Sequence, residues 1–252
     1  MPIYDKPVRL LLRDMISALA PKSGQQFSRK DAIDWFYKHY PKIKEATISA
    51  HLIRFSINAP SRLHCSARAD EDLLFQVDSS HFRLYDQASD PVPIHSKSDI
   101  TVTQGKANNM AEASEPSEFA YESDLRDFLA KNLSLIEPGL QLYQDEEITG
   151  IEFPAGGRFI DILALDAKKQ LVVIELKVSR GYDRVIGQLM RYMAWIKKNL
   201  AESKQGVRGI IAAREISDDL KLACSYLPAV SLYEYELSVS LNKVAVDAIG
   251  DD

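Results

Sequence analysis

Three charged side chains stand where apolar strands should carry none. Gln170 to Val178, "QLVVIELKV", reads as a nearly continuous apolar strand, yet it holds Glu175 and Lys177, and Asp161 interrupts the apolar run Phe159–Leu165. An unpaired buried charge costs several kcal/mol, roughly, so stability alone does not put them there. Side chains two apart on a strand share a face, so Glu175 and Lys177 point the same way. A hairpin about the polar turn Asp166–Lys169 brings Asp161 beside them. Two neighbouring carboxylates repel unless a cation joins them, and a hard cation such as Mg²⁺ takes oxygen ligands. Such an ion activates water and stabilises a phosphoryl transition state. A lysine there can steady or deprotonate the attacking water. The chemistry is phosphodiester hydrolysis; the plainer alternatives are a buried structural ion pair or an edge strand with its charges in water. An acid two before a lysine occurs four times in the chain, but only Glu175/Lys177 lies inside an apolar strand with a second acid upstream.

The elements that must position these groups follow from periodicity. A helix over Tyr121–Leu133, strand-like "LQLYQDEEIT", "RFIDILALD" and "QLVVIELKV", and a helix over Asp183–Ala201 come in that order. In the last, Ile186, Leu189, Met193, Ile196 and Leu200 step by three and four. "GVRGIIAA" reads as a buried strand, "SDDLKLACSYL" as a helix and "VSLYEYELSV" as a final strand. This order predicts an α/β domain with a mixed sheet flanked by helices.

Upstream, helical periodicity over Val8–Leu19 is followed by "FSRKDAIDWFYKHYP", with Ser28 as N-cap and Pro41 as terminator. A third helix over about Ala46–Asn58 precedes two short strands, "DLLFQV" and "HFRLYD", joined by Asp78-Ser79-Ser80. Three helices and a hairpin are the order of a winged helix-turn-helix, whose third helix enters the major groove. Its polar face would offer Ser49, His51, Arg54 and Asn58 to DNA, with Lys42, Lys44, Arg62 and Arg68 flanking it. The alternative is a small interaction domain with solvated charges. The segment 87–118, rich in Ser, Asp, Pro, Ala and Asn, reads as a linker between domains at 1–86 and 119–252.

Composition places the chain among soluble globular proteins, with 46% hydrophobic and 27% charged residues. Cys65 and Cys224 match no zinc or disulfide framework and suit a reducing cytoplasm. No signal peptide or membrane-spanning run is visible, so a cytoplasmic location is expected. The net charge of −5 divides unevenly: residues 1–86 carry 13 Lys+Arg against 10 Asp+Glu, and residues 119–252 carry 16 against 21. A mildly basic head on an acidic body permits a nucleic-acid partner.

"GGRFIDILALDAKKQLVVIELK" resembles the PD-(D/E)XK nuclease superfamily, and the local pattern looks most like the catalytic domain of NucS/EndoMS-type endonucleases. There a helix glutamate, G-x-(I)-D, IE(I/L)K and a helix bearing G-Q-(L)-x-R-Y follow one another. This chain has Glu122, Asp161, Glu175, Lys177 and "GQLMRYMAW" with Gln188 and Tyr192, over roughly residues 119–245. The resemblance implies a restriction-endonuclease-like fold. It implies Asp161, Glu175 and the Leu176 carbonyl as ligands of Mg²⁺ (Mn²⁺ substituting), and Lys177 as the residue managing the water. Glu122 would be an accessory acid, Gln188 would position the lysine or the scissile phosphate, and Tyr192 would support it. Arg184 and Arg191 would meet phosphates of double-stranded DNA. Glu147 is a weaker candidate acid. The expected activity is a metal-dependent DNA endonuclease in restriction, defence or repair, and double-strand cutting would favour a homodimer. The amino-terminal half departs from the family's β-rich domain, so mismatch cleavage is not carried over. The rival expectation is a DNA-binding regulator or adaptor whose nuclease-like body no longer cuts.

Overall fold

A computed structural model describes residues 4–20, 22–65, 67–96, 99, 116–145, 148–177 and 183–236; side chains of 116–121 and 183 fall outside the description. The amino-terminal body contains α1 (Val8–Leu19), β1 (Gln26–Ser28), α2 (Arg29–His39), α3 (Glu45–Phe55), β2 (Leu74–Gln76) and β3 (His81–Leu84). Ser28 starts α2 as expected: its hydroxyl accepts the Asp31 N–H at 3.1 Å, and the Asp31 carboxylate accepts the Ser28 N–H at 2.8 Å. The hairpin pairs Leu74 with Leu84 and Gln76 with Phe82. Strand β1, not expected from the sequence, pairs antiparallel with the other edge of β3. Leu11, Leu12, Met15, Phe36, Ile48, Leu52, Phe55 and Phe82 form the core of this body.

The carboxy-terminal body follows with α4 (Pro116–Lys131), the short strands β4 (Gln141–Leu142), β5 (Gln144–Asp145) and β6 (Ile148–Thr149), then β7 (Ile151–Ala155), β8 (Arg158–Leu165), β9 (Leu171–Lys177), α5 (Asp183–Asn199), β10 (Val207–Ala213), α6 (Asp218–Cys224) and β11 (Val230–Glu234). The main sheet runs β11-β10-β9-β8-β4, with β7 also on β8; β9, β10 and β11 are parallel, and β4, β7 and β9 are antiparallel to β8. This is the expected mixed α/β sheet. Alternation along β9 sends Leu171 and Val173 into the cluster under α5, and Val172, Ile174 and Leu176 into the cluster under α4. The stretch read as one strand, "LQLYQDEEIT", is broken into β4, β5 and β6. Between β7 and β8 the chain reverses through Gly156 (φ +60°) and Gly157 (φ +82°), a backbone that side chains disfavour.

The two bodies share a core, and this overturns the expected use of the third helix. Ala46 and Ala50 of α3 belong to the same cluster as Phe153 of β7 and Leu189 of α5, and every side chain from Ala46 to Phe55 is buried. Small residues on that face let α3 pack closely against the sheet. Ser49, His51 and Arg54 therefore do not face a DNA groove. His51 donates from Nδ1 to the Thr47 carbonyl at 2.9 Å, and burial lowers its pKa. Arg54 ties the Glu71 carboxylate at 2.9 and 2.8 Å and also meets the Cys65 carbonyl. Asn58 is spent on the Gln76 backbone, and Arg62 is buried against Asp72. Lys44 faces Glu202 of the other body at 3.5 Å.

The first part of the expected linker has structure. Arg83 holds Asp90 at 2.6 Å, and buried Ile94 donates its N–H to the Ile57 carbonyl at 2.9 Å. Residues 97, 98 and 100–115 lie outside the described residues, as does Glu147. Among the described residues no helix is long and apolar enough to cross a membrane.

Candidate active site

Strand β9 delivers Glu175 and Lys177 to the face covered by α5, where Gln188 and Tyr192 lie one helical turn apart. The Glu175 carboxylate is the hub. Its Oε1 accepts from Lys177 Nζ at 3.0 Å and from Gln188 Nε2 at 2.5 Å. Its Oε2 is buried with no hydrogen-bond partner among the described residues. Gln188 also hydrogen-bonds Tyr192, whose buried hydroxyl is pushed up to about 12. On the other side, Lys177 Nζ stands 4.0 Å from Glu122 of α4.

Asp161 reaches the site by leaving the regular sheet. The β8–β9 ladder ends at Ile162–Ile174, one position short of an Asp161–Glu175 pair. Instead, the half-buried Asp161 carboxylate accepts the Leu176 N–H at 2.8 Å. Leu176 itself turns its side chain into the core under α4. The two carboxyls are held against burial and against each other. Burial pushes the Asp161 carboxyl up to about 6; the Leu176 N–H, Lys177 and Arg126 oppose the shift, and Glu122 adds to it. Burial first, and Asp161 next, hold Glu175 well above the usual carboxylate range. Lys177 is raised: burial pulls it down, but Glu175, Asp161 and Glu122 outweigh that.

Among the described residues no set of three or more His, Cys, Asp or Glu side chains is assembled as a metal cage. The donors nonetheless fit a hard divalent ion that keeps several waters: two carboxylates at one place, one with a buried oxygen unused. The structure thus brings Asp161, Glu175, Lys177, Gln188, Tyr192 and Glu122 together. Arg184 and Arg191 are exposed on α5, three or four residues from Gln188, with Arg191 5.8 Å from the Tyr192 ring centre. The sequence reading missed Arg126 and Glu152, which meet at 2.6 Å beside Asp161. The one available signal was Arg126 standing four residues after Glu122 on a helix.

Residues 121–225 match the family described as Endonuclease NucS C-terminal domain. This segment is similar to the NucS-type domain. Residues 7–84 match a different family, described as a domain of unknown function (DUF7669). Endonuclease NucS of Methanocaldococcus jannaschii is 31% identical over 96 residues, covering 38% of this chain and 34% of the relative. Endonuclease NucS of Methanopyrus kandleri is 30% identical over 100 residues, covering 40% and 35%. The chain thus spans about a third of the length of these curated relatives. Among solved structures, a repair endonuclease from Pyrococcus abyssi is similar at 22% identity and a TM-score of 0.38, covering 52% of this chain and 50% of that one. An EndoMS–dsDNA complex is similar at 20% identity and a TM-score of 0.38, covering 64% and 52%. The NucS-type match contains every element that carries the site, from Glu122 on α4 to Tyr192 on α5.

Proposed function

We propose that the chain is a metal-dependent DNA endonuclease whose single catalytic centre lies at the Asp161–Glu175–Lys177 cluster. The observation that carries this reading is a pair of neighbouring carboxylates, Asp161 and Glu175, that share the Lys177 ammonium while one Glu175 oxygen is buried with no hydrogen bond among the described residues. A site built only for stability has no use for two carboxylates set against each other. Asp161 and Glu175 would hold Mg²⁺ or Mn²⁺, with the Leu176 carbonyl as a further donor. When bound, the ion supplies charge neutralisation at the scissile phosphate and lowers the pKa of water. Lys177, an ammonium fixed by Glu175, would orient the attacking water and offset the negative charge developing at the phosphate. Gln188 bridges Glu175 to Tyr192 and so sets where both carboxylate and lysine stand.

DNA contact in this reading belongs to α5, because α3 is buried. Arg184, Arg191 and Lys198 line the exposed side of α5, and among the described residues nothing stands within 4 Å of where a Gly187 side chain would begin. A phosphate backbone can approach closely there. An amino-terminal body of a different family on such a domain suits either DNA repair or defence against foreign DNA, and we place the activity in one of these two settings.

The test is cleavage of plasmid DNA, methylated and unmethylated, by the wild type and Glu175→Ala, in Mg²⁺ and in EDTA. Metal-dependent cutting that the variant lacks is the expected result. Binding of DNA without cutting of any substrate would instead make the chain a regulator with a silent nuclease body.

A further inference from the structure

We infer that Arg126 and Glu152 form a clamp that positions Asp161 by holding a dislocation in the sheet; the inference rests on the metal-dependent reading of the site. Strands β7 and β8 pair Ile151 with Ile162, Phe153 with Ile160, Pro154 with Phe159 and Ala155 with Arg158. The pair missing from this series is Glu152–Asp161. On its other edge β8 loses β9 at the same place. Asp161 is therefore outside both ladders, which frees it to turn its carboxylate to the Leu176 N–H.

The core confirms that both strands change phase here. Residues two apart on a strand share a face. Yet Ile160 packs in the cluster under α5 while Ile162 packs in the cluster under α4. On β7, Phe153 lies in the first cluster and Ile151 against the second. The switch falls at Glu152 and Asp161. Glu152 makes it by adopting φ +46°, a left-handed backbone that non-glycine residues disfavour. Something must hold it there.

Arg126 does so from α4. Its Nη1 donates to Glu152 Oε1 at 2.6 Å, and its Nη2 stands 3.5 Å from Asp127. From the amino-terminal body, His64 Nε2 stands 3.8 Å from the other Glu152 oxygen, and the His64 carbonyl accepts the Thr149 hydroxyl at 3.0 Å. Arg126 sits four residues after Glu122, so one helix face presents both the accessory acid and the clamp to the site. Its charge also opposes the burial of the Asp161 carboxylate. Release of Glu152 lets β7 and β8 return to regular pairing, and a strand that regains its phase turns Asp161 away from Leu176. Arg126 and Glu152 are positioning residues: they touch neither substrate nor ion.

The experiment compares the full chain with Arg126→Ala, Arg126→Lys, Glu152→Gln and the Arg126→Ala/Glu152→Gln double variant. Affinity for Mg²⁺ alone is measured by calorimetry, and kcat and KM on plasmid DNA alongside it. Groups that orient metal ligands typically contribute about tenfold or more to affinity. Arg126→Ala and Glu152→Gln should each weaken Mg²⁺ by about that factor and lower kcat, with KM for DNA within roughly twofold. Arg126→Lys should recover part of the loss. The double variant should be no worse than the weaker single one, because both remove one interaction. Should Arg126→Ala fail to fold, the near-isosteric Glu152→Gln carries the test. Mg²⁺ affinities within about twofold of wild type in both single variants, or losses that multiply in the double, overturn the clamp while leaving the nuclease reading intact. A wild type that neither binds Mg²⁺ nor cuts removes both.

Discussion

Replacing Asp161 by asparagine should stabilise the cation-free protein, with a pH dependence that the site dictates. Burial pushes the Asp161 carboxyl from 3.8 to about 6, so between those values the folded chain keeps a proton that the unfolded chain has released. Stability attributable to this group is therefore full below about pH 4, falls as pH rises through 6, and is level above. A shift of that size corresponds to roughly 3 kcal/mol. The partial exposure of Asp161 discounts it to about 1–2 kcal/mol. Glu175 moves in the same direction, partly because of Asp161, so removing one charge eases the other. Asparagine keeps an oxygen for the Leu176 N–H, which isolates the charge from the hydrogen bond. The assay is urea unfolding in EDTA from about pH 3.5 to about pH 8. The variant should match wild type at the acidic end and exceed it by about 1–2 kcal/mol at the alkaline end. Millimolar Mg²⁺ should raise the wild type and leave Asp161→Asn where it was. A wild type as stable as Asp161→Asn in EDTA near pH 8 would refute the idea that the carboxylates are held together against their repulsion.

Arg184→Ala and Arg191→Ala should each reduce the salt dependence of duplex binding by about one phosphate contact; an unaltered slope would take DNA off α5. Gly150→Ala should destabilise the chain by roughly 3 kcal/mol or more, since its new carbon would fall 2.0 Å from the Leu163 carbonyl oxygen. Denaturant unfolding near the wild-type midpoint would show that β8 does not approach so closely.

The convergence of Glu175, Lys177, Gln188 and Tyr192 was legible because it follows from local periods. Two residues along β9 and four along α5 define faces, and a short turn between β8 and β9 fixes which strands meet. What escaped was decided by tertiary packing. The polar residues of α3 look the same in sequence whether they face a groove or another domain. The small side chains Ala46, Ser49 and Ala50 were the sign of close packing. Strand β7 hid behind Pro154 and a glutamate at its phase break. Residues 87–96 have the composition of a linker, yet Ile94 and Asp90 fasten them to the first body. Alternation also cannot foresee a dislocation, so the clamp at Glu152 had no periodic signature.

Two buried ionic groups in this chain show why Glu175 is there. Glu71 and Glu175 are both almost fully buried, and each leaves one oxygen without a hydrogen-bond partner among the described residues. Glu71 faces a guanidinium, Arg54, which grips it twice and is itself buried, so the charges balance one to one. That arrangement ties segments together and asks for nothing further. Glu175 accepts from Lys177 and lies beside Asp161, and its carboxyl is held well above its ordinary range. Burial is common to both, so burial alone does not mark a working site. The difference is the neighbour. Glu71 faces an opposite charge, whereas Glu175 lies beside a second carboxylate, and in the proposed reading a divalent cation joins the two.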